Sequence, residues 1–291
     1  MLVSIVVATY NCEAYITETL NSVYRQTYNN IELIVTDDCS KDNSVLVVKN
    51  WLENHKDRFV RTIQTQTTKN SGVTANYNNG FKNATGEWVK CLDGDDILPE
   101  DAIEYYVKCC QDEPQYKLWY SSEQSFNNQE LGNVNHSTLP VSSARRQMIY
   151  LLNNRLLGIC TATNFIHRKT FVSQGMFNER YPMYQDGSPF LQTLARRHPV
   201  GIIDTITLLK RENPKSLMHT ANPVMVQNIR DCHFYYARYY LRYGMPLHFY
   251  NAWVTYFLST HDTNRFGVKV FGYFLRCFDF INIYKKICSS R

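Results

Sequence analysis

Leu92-Asp93-Gly94-Asp95-Asp96 sets three carboxylates within four residues, at the end of an apolar stretch over Glu87–Leu92. Carboxylates this close repel one another unless a cation sits among them. Oxygen-only ligands suit Mg²⁺ or Mn²⁺, which commonly take one or two carboxylates together with substrate phosphates. The competing reading is an acidic turn capping the helix after Pro99, although Glu100 and Asp101 already serve that helix dipole. A second acidic turn, Asp37-Asp38-Cys39-Ser40, ends a neighbouring apolar run. An Asp there can accept the imide N–H of a uracil, as carboxylates elsewhere accept from nucleobase donors. It can equally be an N-cap or Asx-turn before a helix starting near Ser44. Tyr10 can stack on a base or simply pack.

Bringing such turns together takes a sheet. Val3–Ala8 is a continuous apolar run of the kind buried on both faces, and Thr9-Tyr10-Asn11 ends it. Ala14–Gln26 carries Ile16, Leu20 and Val23 at helical spacing. Ile31–Thr36 follows as a strand and Ser44–His55 as a helix with Val45, Val48 and Leu52 on one face. Next come a strand over Val60–Thr65, a helix over Thr74–Asn83, a strand over Glu87–Leu92 and a helix from Pro99 to about Gln111. This alternation implies an α/β fold with a mostly parallel central sheet, whose ligands bind at the carboxyl ends of the strands. Thr9, Tyr10 and Asn11, then Asp37 and Asp38, then Asp93, Asp95 and Asp96 all fall at such ends. Farther on the pattern predicts strands over Lys117–Ser121, Cys160–His167 and Gly201–Leu209, and helices over Ser143–Asn154 and Gly187–Arg197. Phe126–Pro140 reads as a polar loop, and the chain from Pro223 onward as helical and aromatic.

Composition excludes several classes. With 291 residues, 44% hydrophobic and 20% charged, the chain can bury a sizeable core and does not read as disordered. A net charge of +5 with its basic residues gathered near the C-terminus does not describe a nucleic-acid binder. Nine cysteines, an odd number without a CxxC pair, argue against a disulfide scaffold or a structural zinc. Met1-Leu2 leads straight into a strand, so no signal peptide is expected. No uncharged apolar run is long enough to span a bilayer. The absence of GxGxxG and GxxxxGK[ST] removes the main support for dinucleotide and P-loop readings.

Five ordered motifs, spread over roughly residues 2–217, resemble family 2 glycosyltransferases. Val3–Asn11 is similar to their opening strand and Glu32–Ser44 to their second-strand motif. Asn70–Val73, with Asn78-Asn79-Gly80 and Ala84–Trp88, leads into the aspartate motif Leu92–Asp96. Phe177–Tyr181, Gln185-Asp186 and Leu209-Lys210-Arg211 resemble the acceptor side. The resemblance implies a GT-A, Rossmann-like domain over 1–217, with a nucleotide-binding half (1–97) and an acceptor half (98–217), and a helical extension over 218–291. It implies transfer of a sugar from a nucleotide diphosphate, with UDP favoured through Asp38, to a glycan or lipid-linked acceptor hydroxyl in surface polysaccharide assembly. Thr9, Tyr10, Asn11, Asp38, Asn78, Asp93 and Arg211 become the donor-binding set, Asp95 and Asp93 the Mn²⁺ or Mg²⁺ ligands, and Asp186 the base of an inverting displacement. From its position, Asp186 can also be a helix N-cap.

Departures from the family pattern carry expectations too. Cys39 replaces a usual Gly, so its turn is expected to avoid strongly positive φ. Tyr77 replaces a frequent Arg, and Gln185 a Glu. Two rivals share part of the pattern: an inactive nucleotide-sugar-binding paralogue, opposed by the intact Asp38, Asp95 and Asp186, and a nucleotidyltransferase, which usually needs a Gly-rich phosphate loop. In the tail, Phe271, Phe274, Leu275 and Phe278 lie near Lys269, Arg276, Lys285 and Lys286. That pairing is expected either to dock peripherally on the inner face of the membrane or to cap the enzyme. The location expected is cytoplasmic.

Overall fold

The computed structural model describes residues 1–127, 130–136, 143–153, 160–182, 186, 188–212, 239, 242–246, 249, 250 and 253. The chain divides into two compact units, Met1–Ser216 and Leu217–Arg291. The helical extension and basic-aromatic tail fall almost wholly outside the described residues. Among those residues, no helix is long and apolar enough to cross a membrane.

In the first unit β1 (Val3–Thr9), α1 (Ile16–Tyr24), β2 (Ile31–Asp37), α2 (Ser44–His55), β3 (Arg61–Gln66), α3 (Val73–Asn83), β4 (Trp88–Asp93) and α4 (Ala102–Asp112) alternate as the apolar spacing predicts. The second half follows with β5 (Leu118–Asn127), β6 (Glu130–Asn135), α5 (Ala144–Asn153), β7 (Asn164–His167), α6 (Arg168–Ser173), α7 (Ser188–Ala195) and β8 (Gly201–Arg211). One sheet runs β3-β2-β1-β4-β7-β5-β6, with β8 also paired to β5. β1, β2, β3 and β4 are parallel, as are β5 and β8, whereas β7 is antiparallel to both β4 and β5.

Every residue of β1 and β2 is buried, because helices cover both faces. Val3, Ile5 and Val7 join Leu20, Val23, Leu33, Val48 and Trp51 in the core on one side. On the other, α3 lies against β1 so closely that a Cβ at Gly80 would stand 2.3 Å from Val6 Cγ1.

Three expectations need correction. Phe126–Pro140 is not all loop: β5 extends to Asn127 and Glu130–Asn135 forms β6. The sequence of β6 is polar and mostly exposed, paired on one side, and so lacks the alternation that reveals a half-buried strand. The strand expected from Cys160 begins only at Asn164, after a 3₁₀ turn over Thr161–Thr163. Cys39, expected to avoid positive φ, adopts φ 63°. This left-handed conformation costs about 1–2 kcal/mol, offset by a turn that pins its neighbours: Asp38 N donates to Thr9 O (2.9 Å) and Ser40 N to Asp37 Oδ1 (2.8 Å).

Lys90, in β4, is fully buried. Its ammonium donates to the Ala162 carbonyl and lies 5.0 Å from the centroid of the Tyr106 ring. Burial pushes its pKa down to about 8, from 10.5. The unfolded chain holds this proton to higher pH than the folded one, so the cost of burying the charge is full below about pH 8 and fades as pH rises to 10.5. Unfolding the parent and Lys90→Met in denaturant should show the parent gaining on the variant by on the order of 3 kcal/mol across that range. A stability gap independent of pH would contradict this burial cost.

Candidate active site

The carboxyl ends of β1, β2 and β4 meet because the three strands are in register: Thr9 pairs with Asp37 and Ala8 with Asp93. Gly94 closes the turn after β4 against β1, its amide donating to Ala8 O at 2.9 Å. A Cβ there would lie 2.9 Å from Thr9 Cγ2, so this turn takes only glycine without rearrangement.

The two acidic turns are built differently. Asp37 is a brace: Oδ1 accepts from Ser40 N (2.8 Å) and Gln66 Nε2 (3.1 Å), and Oδ2 from Thr9 Oγ1 (3.1 Å) and Ser40 Oγ. Asp38 ties down the 67–72 loop, with Oδ1 accepting from Thr67 Oγ1 (2.8 Å) and Ser71 N (2.9 Å) and Oδ2 from Gly72 N (2.7 Å). A carboxylate offers about four lone-pair sites, which leaves Asp38 room for one more donor. Gly72 has φ 89°, and a Cβ on it would fall 2.4 Å from Pro182 O. Thr74 completes that junction, its amide donating to Pro182 O (3.1 Å) and its hydroxyl to Tyr181 O (2.8 Å).

In the aspartate turn, Tyr77 donates its hydroxyl to Asp93 Oδ1 at 2.6 Å from a fully buried position on α3. Burial, and then the charge of Asp95, push the Asp93 carboxyl up to about 6. Burial also raises Asp95, and it raises Asp96 well above the carboxylate range, with the charges of Asp93 and Asp95 adding to the latter shift. Asp96 faces inward and accepts from Arg211 N at 2.9 Å. The charges of Arg211 and Lys210 oppose the rise at Asp95, and that of Lys210 the rise at Asp93 and Asp96.

Asp186 sits beside the 3₁₀ turn. Both Thr161 N and Thr161 Oγ1 donate to its Oδ1 at 2.7 Å. Burial raises its carboxyl, and the two Thr161 bonds oppose that shift. Asp93 and Asp186 are within electrostatic reach of one another. Lys90, through Ala162 O, supports the same turn from below.

Several residues of the expected donor set already have protein partners in this geometry. Thr9 is buried, with its hydroxyl on Asp37, so it braces the turn. Asn78 is buried and clamps the acceptor side: Nδ2 donates to Phe177 O (2.9 Å) and Glu179 Oε1 (2.8 Å), and Oδ1 accepts from Phe177 N (3.0 Å). Arg211 is only 13% exposed at its side chain. Its Nε donates to Asp95 O (2.9 Å), it pairs with Glu18, and its guanidinium lies over the Tyr15 and Phe126 rings at 4.9 and 4.4 Å. Tyr10, at 38% exposure, remains open at the end of β1, whereas the exposed Asn11 accepts from Lys41 N through Oδ1 at 2.8 Å.

The profile described as Glycosyl transferase family 2 matches residues 4–175, more than half of the chain. The chain belongs to glycosyltransferase family 2. Among its relatives, an uncharacterized glycosyltransferase of Haemophilus influenzae is 38% identical over 103 residues, 35% of this chain and 40% of that protein. The minor teichoic acid biosynthesis protein GgaB of Bacillus subtilis is 33% identical over 103 residues, 35% of this chain and 11% of that protein. The chain thus spans well under two thirds of the length of these relatives. Among solved structures, S. aureus TarS 1–349 in complex with UDP superposes with a TM-score of 0.65 at 18% identity, covering 91% of this chain and 74% of that one. The mannosyltransferase PcManGT of Pyrobaculum calidifontis, in complex with GDP-Man and Mn²⁺, gives 0.57 at 18% identity, covering 98% and 83%. These glycosyltransferases have the GT-A fold, and at such identity the likeness establishes the fold of this family 2 chain and nothing finer.

Proposed function

We propose that this family 2 chain transfers a sugar from a UDP-sugar to a hydroxyl of a glycan or lipid-linked acceptor, with inversion at the anomeric carbon and with a divalent cation. The observation that carries this reading is the buried pair Asp93 and Asp95 in the turn after β4, with Asp186, held by Thr161, near enough for its charge to raise the Asp93 carboxyl. The donor set fits Mg²⁺ or Mn²⁺. Asp93 gives one oxygen to Tyr77, which leaves Oδ2 to act beside Asp95. Two carboxylates are enough where substrate phosphates complete the coordination of such a cation. Bound there, the cation would neutralise charge as it develops on the departing diphosphate.

The remaining work falls to the chain itself. Asp38 keeps one acceptor site for the imide of a uracil, and Tyr10 offers its ring to the base. Asp186 presents Oδ2, since both Thr161 donors bind Oδ1. As the acceptor oxygen forms its bond to the anomeric carbon and the bond to the diphosphate breaks, the acceptor proton passes to Asp186. Attack by the acceptor oxygen from the face opposite the leaving group inverts that carbon, by analogy with inverting glycosidases. Surface polysaccharide assembly as the setting rests on the motif resemblance and on the likeness to GgaB. Calorimetric titration with UDP in the presence of Mn²⁺ tests the donor site. Saturable binding that chelation weakens is expected, and no binding under either condition would contradict the assignment.

A further inference from the structure

We infer that Lys210, and not Arg211, is the side chain that grips the diphosphate of the donor. The inference rests on the UDP-sugar reading above and adds a side-chain cation to the metal which that reading places at the diphosphate. The end of β8 is fixed to the aspartate turn: Ile97 N donates to Leu209 O (3.0 Å), Leu209 N to Ile97 O (2.9 Å), and Arg211 N to Asp96 Oδ1 (2.9 Å). Successive residues of a strand face opposite sides. Arg211 therefore turns toward α1, where Glu18, Tyr15 and Phe126 enclose it. Its Nε and Nη2 and both faces of its guanidinium are engaged by the fold.

Lys210 faces the other way. Its Nζ stands 3.8 Å from Glu123 Oε1 and 3.8 Å from Cys160 Sγ, and 45% of its side chain is exposed. Burial keeps the Cys160 thiol protonated, so the sulfur is a weak partner. Glu123 is itself shared, Oε1 also accepting from Asn135 Nδ2 at 3.1 Å. An ammonium has three donors, and these two long contacts leave capacity for a ligand. The charge of Lys210 reaches Asp93, Asp95, Asp96 and Asp186 together. Phosphate oxygens brought to Asp95 would thus meet a partly exposed point charge on a flexible stem, a form of phosphate recognition that lysine supplies well.

The test compares UDP with uridine, titrated by NMR into the parent chain, Lys210→Met and Lys210→Arg, with Mn²⁺ and again with chelator. Lys210→Met should weaken UDP about 10- to 100-fold, the size of a lost hydrogen bond to a charged group, under both conditions. Uridine binding and the melting temperature should stay as in the parent, and Lys210→Arg should recover most of the UDP affinity. Parental UDP affinity in Lys210→Met overturns the inference. So does an equal loss of UDP and uridine with a lowered melting temperature, which would make Lys210 a structural residue. A parent chain that binds neither nucleotide overturns the donor reading itself, and this inference with it.

Discussion

Asp186→Asn should lower sugar transfer by about 10²-fold or more, the usual size of a general-base contribution, while UDP binding stays close to that of the parent. Asparagine keeps the shape and an oxygen for the two Thr161 donors, which reach Oδ1 at 2.7 Å. What it lacks is the capacity to take a proton. The parent should also lose activity toward acid pH at a point above the ordinary carboxylate value of 3.8, because burial raises this carboxyl. The sign follows from the role: the base works only when ionised, and a raised pKa keeps it protonated to higher pH. Steady-state rates against pH, with UDP affinity measured in parallel, separate this from damage to the fold. Near-parental turnover in Asp186→Asn would return the residue to bracing the 160–163 turn and α7.

Asp95→Ala should abolish the metal-dependent part of UDP binding while the chain still unfolds as cooperatively as its parent. Asp95 carries a carboxylate that burial pushes up beside Asp93 and Asp96, so its removal relieves repulsion in the unliganded protein. Its backbone carbonyl, which accepts from Arg211 Nε at 2.9 Å, survives the substitution. Stability should therefore hold or rise as affinity falls, a combination that loss of packing does not produce. Calorimetry with UDP and Mn²⁺, paired with thermal unfolding, reads both. Unchanged metal-dependent affinity would remove Asp95 from the cation site.

Much of this site was visible in the amino-acid order, because strands buried on both faces are predominantly apolar. Val3–Ala8, Ile31–Thr36 and Glu87–Leu92 are so despite the buried Ser4, Glu32 and Lys90, and their ends located the acidic turns. The partition of side chains was not visible. Asn78 and Thr9 look like ligands in a motif, yet burial commits them to Phe177, Glu179 and Asp37. Tyr77, noted as a departure from Arg, meets Asp93 only because α3 packs on β1, the neighbour of β4, and Thr161 has no motif at all. Lys210 and Arg211 are adjacent letters of like charge. Only the alternation of β8, with its pairing to Ile97, shows that one is enclosed and the other turns to Glu123 and Cys160. The strand β6 stayed hidden because a polar edge strand has no apolar period.

The central claim, metal-assisted transfer from a UDP-sugar, is tested most directly by nucleotide release. The chain would be incubated with a panel of UDP-, GDP- and dTDP-sugars, each with Mn²⁺ and with chelator, and the free nucleotide diphosphate quantified. UDP release from at least one UDP-sugar, dependent on the cation, lost in Asp95→Ala and stimulated by a hydroxyl acceptor, is the predicted result. Equal release with and without the cation, or release confined to GDP- or dTDP-sugars, would contradict the account.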